Sequence, residues 1–161
     1  MGYDNSATTR TYDEVVDIMV RVMKEDYGNP SSLHLKGLDA EHIIKNATDQ
    51  VCKVLRCLPE EVIFTSGGTE SNNMAIVGTA LAKRRKGKHI VVSSIEHASV
   101  SAVIQFLIKE GFEVTYIPSD EKGIVAPEDF ETAIREDTIL VSCMHINNEV
   151  GSVQPVAEIG R

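Results

Sequence analysis

Between Val62 and Met144 the sequence alternates short apolar runs with longer helical patterns, and the runs do not alternate internally. Ile90-Val91-Val92 and Ile139-Leu140-Val141 are apolar at consecutive positions, whereas a strand with one wet face would change polarity at every residue. Strands covered on both faces are therefore expected at Val62–Thr65, His89–Ser93, Phe112–Ile117 and Thr138–Met144. Helices are expected between them, over Thr69–Arg85, His97–Glu110 and Pro127–Arg135. Pro127, with Glu128 and Asp129 beside it, is a strong helix start. Right-handed crossovers turn this order into an α/β fold, a mostly parallel sheet with helices on both faces.

Ahead of this region Val15, Ile18, Met19, Val22 and Met23 recur at helical spacing until Gly28-Asn29-Pro30 stops the pattern. A second helix is expected from about Leu38, where Ala40, Ile43, Ile44, Ala47, Val51, Val54 and Leu55 form one stripe that ends before Pro59. Both stripes read as core. With 161 residues, 42% of them apolar, the chain is long enough for one buried core. No stretch approaches the ~20 apolar residues of a membrane span. Sixteen basic residues against twenty-four acidic ones, a net charge of −8, argue against general nucleic-acid binding. The basic run Lys83-Arg84-Arg85-Lys86 falls at a helix end, where cations are favoured. Met1-Gly2-Tyr3-Asp4 has neither a basic n-region nor an apolar h-region, so a cytoplasmic location is expected. Cys52, Cys57 and Cys143 are odd in number and lack Cys-x-x-Cys spacing, which speaks for reduced, packed thiols and against a disulfide frame or a zinc site.

Polar clusters follow three of the apolar runs. Ser66-Gly67-Gly68-Thr69-Glu70-Ser71-Asn72-Asn73 follows Val62-Ile63-Phe64 and opens a helix. Free N–H groups and the positive end of the helix dipole favour an anion there, and two glycines allow its close approach. A tight turn with Thr69 as a cap explains the same residues. Ile95-Glu96-His97-Ala98-Ser99 and His145-Ile146-Asn147-Asn148-Glu149-Val150-Gly151 follow the next runs. In an open parallel sheet the strand C-termini share one edge, so these segments should converge on one crevice.

With Asp4-Asn5-Ser6-Ala7-Thr8-Thr9 and Tyr27-Gly28-Asn29-Pro30-Ser31-Ser32-Leu33-His34 at the front, the chain resembles the cysteine desulfurases, pyridoxal-phosphate enzymes of aminotransferase class V. Five motifs carry the resemblance, in the family's order, from Tyr3 to Arg161. It implies a partial large pyridoxal 5′-phosphate-binding domain over 15–161, with 1–14 belonging to the small-domain side. Gly68 and Thr69 would hold the cofactor phosphate. His97 would stack on the cofactor ring and is a candidate for proton transfer, and Asn148 would donate to the phenolic oxygen or to a substrate carboxylate. An Asn-Asn pair is otherwise a loop signal, and Asn147 and Glu149 are read as shaping the turn. His145 is assigned to local hydrogen bonding and His34 to a subunit interface, while His42 and His89 are read as solvent-facing or satisfied locally.

The family's cofactor-binding lysine stands in a Ser-x-His-Lys segment and its ring-nitrogen acid in an Asp-x-x-Gln segment. No lysine of this chain has that context, and the family's nucleophilic cysteine has no match. Pro155-Val156-Ala157-Glu158-Ile159-Gly160-Arg161 reads as a helix just beginning, so the chain is expected to be an N-terminal portion, inactive alone. The complete enzyme would convert L-cysteine to L-alanine, act as a homodimer, and pass persulfide sulfur to an acceptor or iron–sulfur scaffold protein. The alternatives are a non-catalytic phosphate-ligand binder, a fragment that pairs with a second one, and another class V enzyme such as a selenocysteine lyase or a kynureninase-like enzyme.

Overall fold

The computed structural model describes Asn5, Ser6 and residues 8–161; Tyr3, Asp4 and Ala7 of the front motifs lie outside the described residues. Two compact units divide at Phe64 and Thr65.

The first unit holds helix α1 (Asp13–Lys24), helix α2 (Leu35–Leu55) and a single 3-10 turn, Pro59–Glu61. Helix α2 begins one turn earlier than its apolar stripe suggests. The cause is His34, whose Nδ1 accepts from the Gly37 N–H at 3.3 Å and caps the first turn. The stripes are amphipathic as read, but the expectation that they are core fails. Helix α1 buries no residue, and α2 buries Gly37 and Ala40. Periodicity identifies the apolar face of a helix; it carries no information about what covers that face.

The second unit comprises helix α3 (Gly68–Lys83), strand β1 (His89–Ser93), helix α4 (Ala98–Lys109), strand β2 (Glu113–Ile117), helix α5 (Pro127–Ala133), strand β3 (Thr138–Ser142) and helix α6 (Val156–Ile159). The sheet is parallel throughout, in the order β2-β1-β3. All five residues of β1 are buried, and they face two different cores. Ile90 and Val92 pack with Ile76 and Ala80 of α3 and with Val100, Val103, Ile104 and Leu107 of α4. Val91 packs on the other side with Ile117, Val125 and Phe130, and Ile159 of α6 joins that cluster. Consecutive apolar residues thus serve two faces, as the sequence indicates. Among the described residues no helix is long and apolar enough to cross a membrane.

The run Val62–Thr65 is not a strand. Among the described residues no strand supplies it with a ladder, and Ile63 and Phe64 are exposed. An apolar run becomes a strand only beside a partner that bonds its N–H and C=O groups.

At the N-terminal edge of the sheet His89, 1% exposed, joins all three strands. Its Nδ1 pairs with the Thr138 hydroxyl at 2.7 Å and its Nε2 with the Thr115 hydroxyl at 2.8 Å. Burial pushes the imidazole below its ordinary value and the nearby Arg135 charge adds to this, while Asp137 and Glu113 partly offset it. A lowered folded pKa means that the unfolded chain binds the proton first. Stability contributed by neutral His89 is therefore complete above the ordinary His pKa of ~6.5 and is lost as pH falls through the folded value. Urea midpoints should drop on acidification from pH 7.5 to 5.5, with a shallower drop for His89→Gln. Equal slopes would rule His89 out as the source.

Candidate functional site

The strand order locates the crevice. Beyond β1 the chain turns into α4, on the side of Ile90 and Val92. Beyond β3 it leads to α6, on the side of Val91. Connections that leave adjacent strands toward opposite faces open a gap at the strand C-termini. His97 follows β1, and Asn147 and Asn148 follow β3, so both polar clusters fall at this gap.

His97 is the N-cap of α4. Its Nδ1 accepts from the Ser99 N–H at 3.1 Å and lies 2.8 Å from the Ser99 hydroxyl, which in turn accepts from Asn72 Nδ2 at 2.8 Å. With Asn72 donating to it, the Ser99 hydroxyl is free to donate its own proton to Nδ1. A neutral His97 therefore carries its proton on Nε2. The capping bond fixes the ring's tautomer and leaves the exposed ring as a donor. Glu96, one residue back, joins the ends of two strands: Oε1 accepts from Ser93 Oγ at 2.8 Å and from Ser142 Oγ at 3.3 Å. Asn147 Nδ2 donates to the Ile95 carbonyl at 3.1 Å, while Oδ1 accepts from the N–H groups of Glu149 and Val150. That amide shapes its own turn and ties it to the segment carrying His97. The Asn148 side chain is exposed and has no hydrogen-bond partner among the described residues.

A cleft of about 540 Å³ is lined by Ser94–Ala98, Ser119–Gly123 and Asn147–Val150, so His97 and Asn148 share it. A second cleft of about 410 Å³ has Asn72, Thr79, His97, Ser142, Cys143 and Met144 among its lining. His97 borders both. Gly68 and Thr69 line neither; they connect to His97 through Asn72, one turn along α3, and Ser99.

Helix α3 starts without a side-chain cap. Its N-cap is Gly67, and Thr69 lies inside the first turn, so Thr69 does not play the capping part that the sequence also allowed. The first N–H groups of a helix have no acceptor within it, which leaves those of Gly68, Thr69 and Glu70 open. A Cβ added at Gly67 or Gly68 would meet nothing within 4 Å, so the backbone is accessible to a ligand. The Ser66 N–H is already taken: Glu70 Oε2 accepts from it and from Ser66 Oγ, both at 2.6 Å. Those bonds hold the Glu70 carboxyl below its usual range. An open amide cluster on a 16-residue helix fits a phosphate.

Cys143 borders the second cleft, yet its thiol is pushed up to about 11, chiefly by burial, then by the negative charge of Glu96, with the Ser93 hydroxyl opposing. At pH 8 its thiolate fraction, and with it the alkylation rate by iodoacetamide, should be about two orders of magnitude below that of an unperturbed thiol. Modification of Cys143 at the rate of free glutathione would refute this.

The family model for class V aminotransferases ("Aminotransferase class-V") matches residues 2–161. The chain belongs to that family. Class V aminotransferases are pyridoxal-phosphate-dependent. The class V chain is 48% identical over 158 residues to "Cysteine desulfurase IscS" of Dictyoglomus turgidum, covering 98% of this chain and 40% of that protein. It is 50% identical over 157 residues to "Cysteine desulfurase IscS" of Methanosarcina thermophila, covering 98% and 39%. Among solved structures, a "NIFS-like protein" superposes with a TM-score of 0.95 at 41% identity, over 99% of this chain and 44% of that one. The chain thus spans about two-fifths of the length of the curated relatives it matches.

Sequence reasoning missed Glu96, Ser99 and Asn72 as site-builders. Only the positions of Glu96 and Ser99 beside His97 hint at it, because the Asn72–Ser99 and Glu96–Ser142 bonds cross between separate elements.

Proposed function

We propose that this chain supplies the cofactor-binding part of a cysteine desulfurase, with Gly68 and Thr69 at the phosphate, His97 against the ring, and Asn148 at the ring oxygen or the substrate carboxylate. The observation that carries the reading is the link from α3 through Asn72 and Ser99 to His97 Nδ1, which ties an uncapped helix start to an imidazole at the sheet's C-terminal edge. The names of the curated relatives support the activity and make L-cysteine the expected substrate. Residues 15–161 would belong to the large domain and 1–14 to the small-domain side. In this reading the complete enzyme is a cytoplasmic homodimer that forms a persulfide on a cysteine and passes the sulfur to an acceptor or iron–sulfur scaffold protein.

When bound, pyridoxal phosphate supplies an electron sink that stabilises negative charge on the substrate's carbon skeleton. The chain's own part is to bind and orient. The α3 amides and the Thr69 hydroxyl neutralise a phosphate without bringing in a full positive charge. His97 offers a flat aromatic face, and its Nε2–H is positioned by the Ser99 bonds to donate or return a proton. The Asn148 side chain, without a hydrogen-bond partner among the described residues, can donate its amide without first breaking a bond to them. Since no lysine stands in the Ser-x-His-Lys context, the 161-residue chain should bind pyridoxamine 5′-phosphate but release no sustained alanine from L-cysteine with pyridoxal phosphate. Catalytic alanine release by this polypeptide would overturn the division of labour, and failure to bind would overturn the cradle.

A further inference from the structure

Gln154 is 3% exposed and lies outside the groups named above. Its amide reaches in two directions. Oε1 accepts from the Val125 N–H at 2.9 Å, and Nε2 donates to the Gly123 carbonyl at 2.7 Å and to Ser152 Oγ at 3.0 Å. These partners belong to two separate loops. One is closed by the Ser119–Val125 bridge and contributes Ser119–Gly123 to the larger cleft; the other is closed by the Ile146–Val153 bridge and contributes Asn147–Val150.

Each loop is stiffened from within. Asp120 Oδ1 accepts from the N–H groups of Lys122 and Ile124, and Asn147 Oδ1 accepts from those of Glu149 and Val150. Two stiff loops still need a tie to hold their spacing, and the Gln154 side chain bridges them. Asn147 Nδ2 extends the chain of bonds to the Ile95 carbonyl, two residues before His97.

We propose that Gln154 is a positioning residue whose single amide sets the spacing of the two cleft loops and thereby the place of Asn148 relative to His97. Its consequence for the cofactor rests on the function proposed above; the clasp itself does not. Glutamine suits the task because one planar group offers an acceptor and a donor in fixed relation. Gln154→Glu removes the donor and sets a carboxylate against the Gly123 carbonyl. Gln154→Leu leaves Val125 N–H and Gly123 O unpaired in a buried place. Ser152→Ala removes one of the three bonds at a half-buried position and spares the fold.

Hydrogen exchange followed by mass spectrometry on the 161-residue chain decides the matter. Gln154→Glu should speed exchange in peptides covering 119–125 and 146–153 by about tenfold or more, with β1 and α4 unchanged, and Ser152→Ala should give a smaller rise in the same peptides. The backbone amide signal of Asn148, which Gln154 does not touch, should broaden or shift in both variants. A uniform rise through β1 and α4 would make Gln154 a general stability residue and overturn the proposal. So would unchanged loops in Ser152→Ala and Gln154→Leu together. In a parallel titration with pyridoxamine 5′-phosphate, parent binding weakened about tenfold in Gln154→Glu supports the link to the ligand. A parent that does not bind the probe refutes the cofactor reading alone, because the exchange data still decide the clasp.

Discussion

Gly87→Ala is expected to destabilise the second unit by about 3 kcal/mol. A Cβ at Gly87 would lie 2.0 Å from the Asp137 carbonyl oxygen, and the next two nearest atoms are also Asp137 backbone. No side-chain rotation relieves such a contact, so the backbone must move. That same Asp137 oxygen accepts from the His89 N–H at 3.2 Å at the start of the β1–β3 pairing. Displacing it therefore loosens the sheet where His89 also holds Thr138 and Thr115. Reduced entropy of the unfolded chain favours alanine by at most ~1 kcal/mol, too little to offset the clash. Gly78, inside α3, is the contrasting case. An added Cβ there meets nothing within 4 Å, so Gly78→Ala should stabilise by about 0.5–1 kcal/mol. Urea denaturation of the two variants should show midpoints moving in opposite directions. A neutral Gly87→Ala would mean that the close approach at Asp137 is not a feature of the folded protein.

Thr69→Asp should weaken pyridoxamine 5′-phosphate binding by 100-fold or more while leaving the fold at least as stable. The two effects separate because one charge acts on two different partners. An aspartate in the first turn of α3 interacts favourably with the helix dipole, worth ~0.3–1 kcal/mol. A phosphate brought to the Gly68 and Thr69 amides would meet that carboxylate at close range. A unit pair of like charges ~4 Å apart costs about 4 kcal/mol at the effective dielectric of a protein surface, so repulsion outweighs what the amides provide. Thr69→Ser keeps a hydroxyl at the same point and should stay within about threefold of the parent. Fluorescence anisotropy of the pyridoxamine probe gives the affinities, and thermal melts give the stability. Equal affinity for parent and Thr69→Asp would remove Thr69 from the ligand's contacts.

How far the sequence could be read depends on which physical question each residue answers. The bounds of β1 follow from His89–Ser93 alone, because a run buried on both faces has a pattern of its own, and Pro127 with its acidic neighbours marks the start of α5 directly. Val62–Thr65 has the same composition as a strand but finds no partner strand among the described residues, and pairing is not a property of four residues. The stripes of α1 and α2 failed as core for the same reason: the apolar face is local information, its cover is not. At the candidate site, motif order singled out His97, Asn148, Gly68 and Thr69; the first two line one cleft, and Gly68 and Thr69 stand apart from its lining. The Asn72–Ser99 bond behind the His97 cap, the reach of Glu96 to Ser142 and the Gln154 clasp on Gly123 and Val125 join residues distant in sequence, so spacing does not reveal them. Gly87 looks like any loop glycine until Asp137 is placed against it.

One phosphorylated pyridine is expected to contact the start of α3, His97 and Asn148 together. Titrating pyridoxamine 5′-phosphate into the 15N-labelled 161-residue chain tests it most directly, because this probe cannot attach covalently to surface lysines. The backbone amides of Gly68, Thr69, Ala98 and Asn148 should shift along one binding curve with a single dissociation constant, and Thr69→Asp should abolish all four shifts at once. Shifts confined to one of these segments, or separate curves for α3 and for Asn148, would contradict it.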